Sequence, residues 1–249
     1  MSFQGKTVLI TGGASGMGLL SGKCFAKEGA SIALVDFDRA ALDRAVAEIR
    51  EITEKVIGCC ADVRVYDQVK AACAEAYEAF GSIDILLPFA GGAETRVLKT
   101  PGEFKDLPIE VFDFGIDVNL KGAVYFAHAA LQYMAEQKSG VIVFIGSITG
   151  EEGCPSNVAY AASKSALMNG VVKSIAQTGA KYNVRAVCVA PGPVLTRPAM
   201  ANMKTMAGRA AEPQELVDMI MYLASEKGAF VNGTTLLMDG GRNVMRNKG

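Results

Sequence analysis

The stretch "KTVLITGGASGMG" (residues 6–18) decides the fold. Its apolar run 6–11 predicts a buried strand, and residues 16–29 predict a helix. Between them lies a turn with glycines at positions 12, 16 and 18. Glycine lets a backbone approach a pyrophosphate closely, and the N-terminus of the following helix presents unpaired N–H groups to it. Glycine also serves ordinary tight turns, but the position between a strand and a helix favours a phosphate-binding turn.

Apolar runs and helical stretches alternate along the rest of the chain. Strands are predicted at 31–36, 56–63, 83–91, 140–147, 184–192 and 234–241. Helices are predicted at 39–52, 67–81, 109–138 (as one helix or a pair), 158–181 and 212–225. Strands that are apolar throughout and alternate with helices indicate a parallel sheet covered on both faces. We therefore expect an α/β protein: one Rossmann-type domain over residues 1–249, with a doubly wound parallel sheet of about seven strands.

Composition narrows the possible functions. The 25 basic and 26 acidic residues are spread evenly, so no basic stripe suggests binding to nucleic acid. No run of 18 apolar residues predicts a membrane span, and the first strand begins too early to leave room for a signal peptide. The 6 cysteines form no C-x-x-C pair, and 1 histidine cannot complete a zinc site with them. We expect reduced, mostly buried thiols in a cytoplasmic protein without a metal.

Asp36 ends the second predicted strand, 18 residues after Gly18. A carboxylate there can accept hydrogen bonds from both ribose hydroxyls of an adenosine, and it would repel a 2′-phosphate. No arginine or lysine stands at position 37 or 38, and position 15 is a serine. Asp36 alone is also compatible with a strand-end cap. Together with the glycine-rich turn, it favours NAD over NADP as the cofactor.

The stretch "YAASK" (160–164) places a phenol and an ammonium one helical turn apart, on the same helix face. A free tyrosine, with a pKa of about 10, is a poor base at pH 7. An ammonium about 4 Å away, at an effective dielectric of about 20, stabilises a phenolate by roughly 4 kcal/mol. The pair is therefore suited to general acid/base catalysis. The alternative for Tyr160 and Lys164 is an ordinary amphipathic surface helix.

Several further motifs occur in a fixed order. They are "TGGASGMG" (11–18), Asp36, "ADV" (61–63), "DVNLKG" (117–122), "IGS" (145–147), "YAASK", "PGPVLT" (191–196) and "VNGTTLLMDGG" (231–241). In this order and at these spacings, the chain resembles the short-chain dehydrogenase/reductase family over nearly its whole length. The resemblance implies a Rossmann-type sheet, a nicotinamide cofactor and four catalytic residues, which are Asn119, Ser147, Tyr160 and Lys164.

The resemblance also implies individual roles. Lys164 holds the nicotinamide ribose, and Asn119 holds a water that relays the proton outward, while Ser147 can bond the substrate oxygen. Asp62 and Val63 flank the adenine. The implied cofactor contacts are Gly12, Ser15, Gly16, Met17, Gly18, Asp36, Asp62, Val63, Ala90, Tyr160, Lys164, Val194 and Thr196.

The chain departs from the family pattern at the end of the fourth strand. Pro88-Phe89-Ala90-Gly91 stands where the family usually has Asn-Asn-Ala-Gly, and Pro88 is tolerated only at a strand end or bulge. The stretch 91–119 is longer than is typical, and the lid 193–212 is shorter, so we expect the longer stretch to cover part of the substrate site. Glu94, Arg96, Glu151 and Glu152 could contact a polar substrate, but most of them are interpreted as solvated loop charges.

These features predict an NAD(H)-dependent oxidoreductase that interconverts a secondary alcohol and a ketone by hydride transfer. One alternative is an NADH-using 3-oxoacyl thioester reductase. An alternative of another class is a non-catalytic dinucleotide-sensing or scaffold protein. Steroids, sugars, polyols and hydroxyacyl compounds all remain open as the small-molecule substrate. By resemblance we also expect a homotetramer, assembled through the helices 109–138 and 158–181 and the C-terminal strand.

Overall fold

The computed structural model describes residues 1–246, and its centre is a sheet of seven parallel strands within that range. The strands are β1 (Thr7–Thr11), β2 (Ser31–Asp36), β3 (Val56–Cys60), β4 (Ile85–Pro88), β5 (Gly140–Ile145), β6 (Val184–Pro191) and β7 (Thr235–Met238). Their spatial order is β3-β2-β1-β4-β5-β6-β7. The chain winds outward from β1 to β3 and then returns to the other side of β1. This reversal confirms the predicted doubly wound parallel sheet.

Helices cover both faces of this sheet. They are α1 (Gly16–Lys27), α2 (Arg39–Arg50), α3 (Tyr66–Phe80), α4 (Glu94–Val97), α5 (Ile109–Ile116), α6 (Gly122–Gln137), α7 (Thr149–Glu152), α8 (Val158–Ala166), α9 (Val172–Ala180) and α10 (Pro213–Ala224). Short π-helical segments, Asp117–Lys121 and Leu167–Val171, join α5 to α6 and α8 to α9. The two long helices predicted at 109–138 and 158–181 are therefore each widened near the middle.

The core lies on both sides of the sheet, because successive strand side chains point to opposite faces. Leu9 contributes to the cluster beneath α3, α6 and α9, together with the fully buried Phe126 and Phe144. The next residue, Ile10, belongs to the cluster beneath α1, α2 and α10, together with Phe25. Every residue of β1 is buried. This two-sided burial is why the strands are apolar throughout rather than alternating in polarity.

β4 ends earlier than the sequence predicts. Pro88, the partner of Thr11 in the ladder, is its last residue. The amide of Phe89 then turns back to the carbonyl oxygen of Leu87, at 3.0 Å, and leaves the ladder. The side chain of Phe89 packs against the apolar cluster of α1 and α10. The departure from Asn-Asn-Ala-Gly therefore falls at a strand end, where the loss of a backbone donor is tolerated.

The cysteines are all free, and half of them are buried. Burial raises the pKa of the Cys59 and Cys73 thiols to about 12 and that of Cys188 to about 11. These three thiols stay protonated near neutral pH and are poor nucleophiles. Cys60 is exposed, in contrast to the expectation of mostly buried thiols. Between residues 1 and 246, the structure has no helix with the length and apolar character needed to cross a membrane.

Candidate active site

The glycine-rich turn joins β1 to α1 without room for side chains at two of its positions. A Cβ added to Gly12, whose φ is +63°, would lie 2.9 Å from the backbone nitrogen of Ala90. A Cβ added to Gly18 would lie 2.3 Å from the carbonyl oxygen of Gly12. Ser15 is the N-cap of α1 but makes no side-chain hydrogen bond to the first turn, which contains no acidic residue. The turn is therefore compact, and its helix terminus suits an anion.

Asp36 lies beside this turn at the end of β2. One of its carboxylate oxygens accepts the N–H of Ala14 at 3.3 Å, and the other accepts the N–H of Asp38 at 3.2 Å. The next residue, Phe37, is 77% exposed. The carboxylate is thus held at the rim of the turn, where the sequence predicts the adenosine ribose.

The predicted adenine side is formed by the segments that follow β3 and β4. Asp62 forms a bidentate pair with Arg64, with the shortest N–O distance at 2.6 Å. The Arg64 guanidinium therefore holds the pKa of Asp62 below its usual value, and the carboxylate stays ionised near neutral pH. Val63 is buried against Gly122, where an added Cβ would approach it to 2.6 Å. The N–H of Ala90 donates to the Thr11 hydroxyl at 3.0 Å, which links β4 to β1 beyond the last ladder pair.

Helix α8 carries Tyr160 and Lys164 on one face. The Lys164 Nζ lies 5.4 Å from the centre of the Tyr160 ring, within the range of a cation–π contact. Lys164 is only 5% exposed, and its Nζ donates to the carbonyl oxygen of Ile145 at 2.8 Å. Ile145 is the last residue of β5 and stands two residues before Ser147. Lys164 therefore ties the helix to the strand end that leads into Ser147.

Ser147 is 7% exposed, and its hydroxyl oxygen accepts the N–H of Thr149 at 3.1 Å. Because that bond uses only an acceptor position, the hydroxyl hydrogen can still be donated to a substrate oxygen. Gly146 allows the chain after β5 to approach the π-helical segment between α8 and α9 closely. A Cβ added to Gly146 would lie 2.6 Å from the Met168 side chain.

Asn119 lies in the π-helical segment between α5 and α6 and is 1% exposed. Its Oδ1 accepts the N–H of Gly92 at 2.8 Å. Its Nδ2 donates to the carbonyl oxygens of Gly92, at 3.0 Å, and Gly115, at 2.9 Å. Both side-chain N–H groups are therefore occupied. Asn119 clamps the loop after β4, and a relay water would need its main-chain carbonyl or the second lone pair of Oδ1.

The lid after β6 is anchored where it begins and where it ends. Val194 is buried and forms an isolated parallel bridge with Ala211. The N–H of Leu195 donates to the Ala211 carbonyl, and the N–H of Ala211 donates to the Pro193 carbonyl, both at 2.9 Å. Thr196 is exposed at the start of the lid. The lid is also tied to the segment after β7, because the N–H of Ala207 donates to the carbonyl oxygen of Gly240 at 3.0 Å.

Arg242 connects the C-terminal segment to α7 and to the lid. Its Nε lies 3.1 Å from a carboxylate oxygen of Glu152 in α7, and its Nη1 donates to the lid carbonyl of Lys204 at 3.0 Å. The two side chains of the ion pair are only 12% and 17% exposed. Sequence reasoning misses this contact because nothing in the local pattern relates residues 90 positions apart.

The structure brings most of the predicted residues to one edge of the sheet. The glycine-rich turn, Asp36, the 62–63 pair, Ala90, Ser147 and the 194–196 segment follow β1 to β6 in turn. The carboxyl ends of parallel strands, at a reversal of strand order, are where such sheets bind ligands. Glu94 is not one of the solvated loop charges, because it is only 2% exposed. Its carboxylate bonds the first turn of α8.

A doubly wound sheet with a glycine-rich turn and a Tyr–Lys helix at its carboxyl edge defines a dinucleotide-binding oxidoreductase. The family model described as short chain dehydrogenase matches residues 6–207, and the chain belongs to this family. Its nicotinamide dinucleotide fits the turn, because Gly12 and Gly18 keep the turn compact and the first turn of α1 carries no acidic residue that would repel a pyrophosphate.

Similar proteins span almost the full length of the chain. The 3-oxoacyl-[acyl-carrier-protein] reductase FabG of Thermotoga maritima is 34% identical over 97% of this chain and 99% of its own length. A 7alpha-hydroxysteroid dehydrogenase of Bacteroides fragilis is 29% identical over 97% of this chain and 96% of its own. The structure of an NAD+-bound xylitol dehydrogenase matches with a TM-score of 0.87 at 26% identity, covering 97% of this chain and 100% of that chain.

Proposed function

We propose that the protein is an NAD(H)-dependent oxidoreductase that interconverts a secondary alcohol and a ketone by hydride transfer. The observation that carries this proposal is the buried Lys164, which lies beside the Tyr160 ring and is bonded to the end of the strand that leads to Ser147. A lysine held in this way places its Nζ beside the ring on which a phenolate would form. The arrangement does not require an acidic side chain paired with Lys164.

In the proposed site, Ser147 donates its hydroxyl hydrogen to the substrate oxygen, and Tyr160 takes the hydroxyl proton of the alcohol. Lys164 stabilises the charge left on the phenolate. In the ketone-reducing direction, Tyr160 returns the proton to the oxygen. When bound, the nicotinamide supplies the hydride acceptor or donor, which is chemistry that belongs to the cofactor. Asn119 holds the loop after β4 in place and stays a predicted contact of the proton-relay water.

The remaining predicted residues would hold the cofactor. The turn residues Gly12, Ser15, Gly16, Met17 and Gly18 would surround the pyrophosphate. Asp36 would bind the adenosine ribose, with Asp62, Val63 and Ala90 on the adenine side. The backbone of Val194 would meet the nicotinamide carboxamide, and Thr196 would meet the pyrophosphate or the carboxamide. The position of these segments after successive strands supports this assignment.

A preference for NAD over NADP follows from the carboxylate at the rim of the turn. We expect Asp36→Ala to weaken NAD binding by at least tenfold and to change NADP binding much less. The variant loses the acceptor for the ribose hydroxyls, but it also loses the repulsion of a 2′-phosphate. Fluorescence titrations with NADH and NADPH measure both dissociation constants.

Asp43→Ala is a matched control, because Asp43 is an exposed residue of α2 whose ion pair with Arg39 is a surface i,i+4 pair. This control should leave both dissociation constants unchanged. An equal loss of NADH and NADPH affinity in Asp36→Ala would contradict the proposed preference.

The substrate class is open to a direct assay. Xylitol, a 7α-hydroxysteroid and a 3-hydroxyacyl thioester represent the polyol, steroid and thioester classes named for similar proteins. NADH formation from each, and NADH consumption with the matching ketones, identifies the preferred class. The reductase of Thermotoga maritima favours an NADH-using 3-oxoacyl thioester reductase as the second candidate. Preference for the 3-oxoacyl thioester over every ketone would select that candidate.

The protein is further proposed to be a cytoplasmic homotetramer. Free cysteines agree with the location, and two exposed apolar residues near the last strand agree with the assembly. Phe230, in the connection between α10 and β7, is fully exposed, and the edge-strand residue Leu237 is 40% exposed.

We expect Phe230→Asp to lower the oligomeric state measured by light scattering after size exclusion, because a charge would be buried at a contact between copies. Phe37→Asp is the control. Phe37 is also an exposed phenylalanine, but it lies at the predicted adenine side. A wild-type monomer, or an unchanged mass in Phe230→Asp, would contradict this interface.

A further inference from the structure

Glu94 is a buried carboxylate at the first turn of α8. Its Oε1 accepts the N–H of Ala159 at 2.9 Å, and its Oε2 accepts the N–H of Tyr160 at 3.1 Å. Within residues 1–246 these two amides are its hydrogen-bond partners, and the side chain is 2% exposed. A helix N-terminus stabilises a negative charge through its unpaired N–H groups. The carboxylate thus acts as a cap on the helix that carries Tyr160 and Lys164.

This cap comes from a distant part of the chain. The N-cap residue of α8 is Asn157, a residue type that usually caps with its own side chain. Here the Asn157 side chain makes no such bond, and its Oδ1 accepts instead from the N–H of Thr95, at 3.2 Å, and the Thr95 hydroxyl, at 2.7 Å. Glu94 supplies the missing cap from 65 residues earlier. Two consecutive residues after β4 therefore hold the start of α8.

The same segment is fixed at its other end to Asn119. Gly92 exchanges two hydrogen bonds with the Asn119 side chain, at 2.8 and 3.0 Å. Gly115 brings α5 close to α8, since an added Cβ would lie 2.6 Å from the Ala159 side chain. Residues 92–95 therefore connect the π-helical segment of Asn119 with the helix of Tyr160.

We infer that Glu94 is a positioning residue that sets where Tyr160 stands relative to Asn119 and Ser147. This inference rests on the proposed function. Lys164 is anchored separately through the Ile145 carbonyl, so losing Glu94 frees chiefly the N-terminal turn of α8. Tyr160 is then displaced from the substrate oxygen, while the cofactor contacts stay in place. A small misplacement of a proton-transfer group is enough to lower turnover strongly.

The test compares Glu94→Ala, Glu94→Gln and Glu94→Asp using the alcohol identified by the substrate panel. We expect Ala and Gln to lower kcat at least tenfold, with the KM for the alcohol and the Kd for NAD within threefold of wild type. The side-chain NH2 group of glutamine would face one of the two backbone N–H groups. Glutamine therefore cannot accept hydrogen bonds from both. Aspartate keeps the charge and should retain more activity than glutamine. Glu78→Ala, at an exposed position of α3, should match wild type.

Three outcomes would overturn the inference. The first is a kcat for Glu94→Ala within twofold of wild type. The second is a parallel loss in kcat, KM and Kd with aspartate no better than glutamine, which indicates a general structural role. If the alanine variant does not fold, the comparison of aspartate with glutamine carries the test. The third is unchanged amide exchange in Glu94→Ala, which is measured without a substrate.

Amide exchange separates this inference from the proposed function. If the wild-type protein oxidises no alcohol, the proposed function fails. The exchange of the peptide spanning residues 158–164 then reads the cap directly. Faster exchange in Glu94→Ala than in Glu78→Ala supports the role of Glu94 in holding this turn. Unchanged exchange overturns it.

Discussion

Tyr160→Phe is expected to abolish turnover, lowering kcat by about 100- to 10,000-fold, the usual contribution of a general acid/base. The phenylalanine ring keeps the shape of the side chain but cannot take the proton of the alcohol. NAD affinity should stay within a few-fold of wild type, because the glycine-rich turn, Asp36 and Lys164 are unchanged. Steady-state rates and a cofactor titration measure the two effects separately.

The matched control for this change is Tyr222→Phe, which removes a hydroxyl from an exposed tyrosine of α10. Its kinetics should equal those of wild type. A Tyr160→Phe enzyme that retains a tenth or more of wild-type turnover would show that another group moves the proton.

Lys164→Met is expected to reduce both turnover and cofactor binding. At an effective dielectric of about 20, an ammonium about 5 Å from a phenolate stabilises it by about 3 kcal/mol, equivalent to about 100-fold in rate. Methionine fills the same space without the charge, and it leaves the Ile145 carbonyl without its lysine donor. The predicted bond to the nicotinamide ribose is lost as well. We therefore expect kcat to fall about 100-fold and the Kd for NAD to rise.

The combined loss distinguishes this variant from Tyr160→Phe, which should affect kcat alone. Lys173→Met, at an exposed position of α9, is the control and should leave kcat and the Kd for NAD unchanged. If Lys164→Met kept both parameters within threefold, the electrostatic role of the lysine would be wrong.

The fold could be predicted from the sequence because its signals are local. The apolar strands, the helical stretches and the glycine-rich turn each lie within a short window. Gly18 shows the limit of this information. The sequence predicts a phosphate-binding turn there, but only the structure shows that a Cβ would meet the carbonyl of Gly12 at 2.3 Å.

The parts that sequence reasoning misses are contacts between distant segments. Glu94 reads as a loop charge because its partners, the amides of Ala159 and Tyr160, lie more than 60 residues away. The ion pair of Arg242 with Glu152 also joins segments that are far apart in the sequence. Backbone N–H groups carry no signature in the sequence, so a carboxylate that caps a distant helix cannot be recognised from residue types.

Asn119 shows a second limit. Its position in the motif "DVNLKG" (117–122) predicts a place in the site, and the structure puts it beside the loop that follows β4. The π-helical turn and the use of both amide N–H groups depend on how α5 and α8 pack. Those details decide which of its atoms remain for a water, and no spacing in the sequence encodes them.

The most direct test of the account is NADH formation from a panel of secondary alcohols, measured for wild type and Tyr160→Phe with NAD binding followed in parallel. We expect wild type to reduce NAD with at least one alcohol. The variant should bind NAD equally well and turn over at least 100-fold more slowly. Tight NAD binding by wild type without turnover of any alcohol, or equal turnover by the two proteins, would contradict proton transfer by Tyr160.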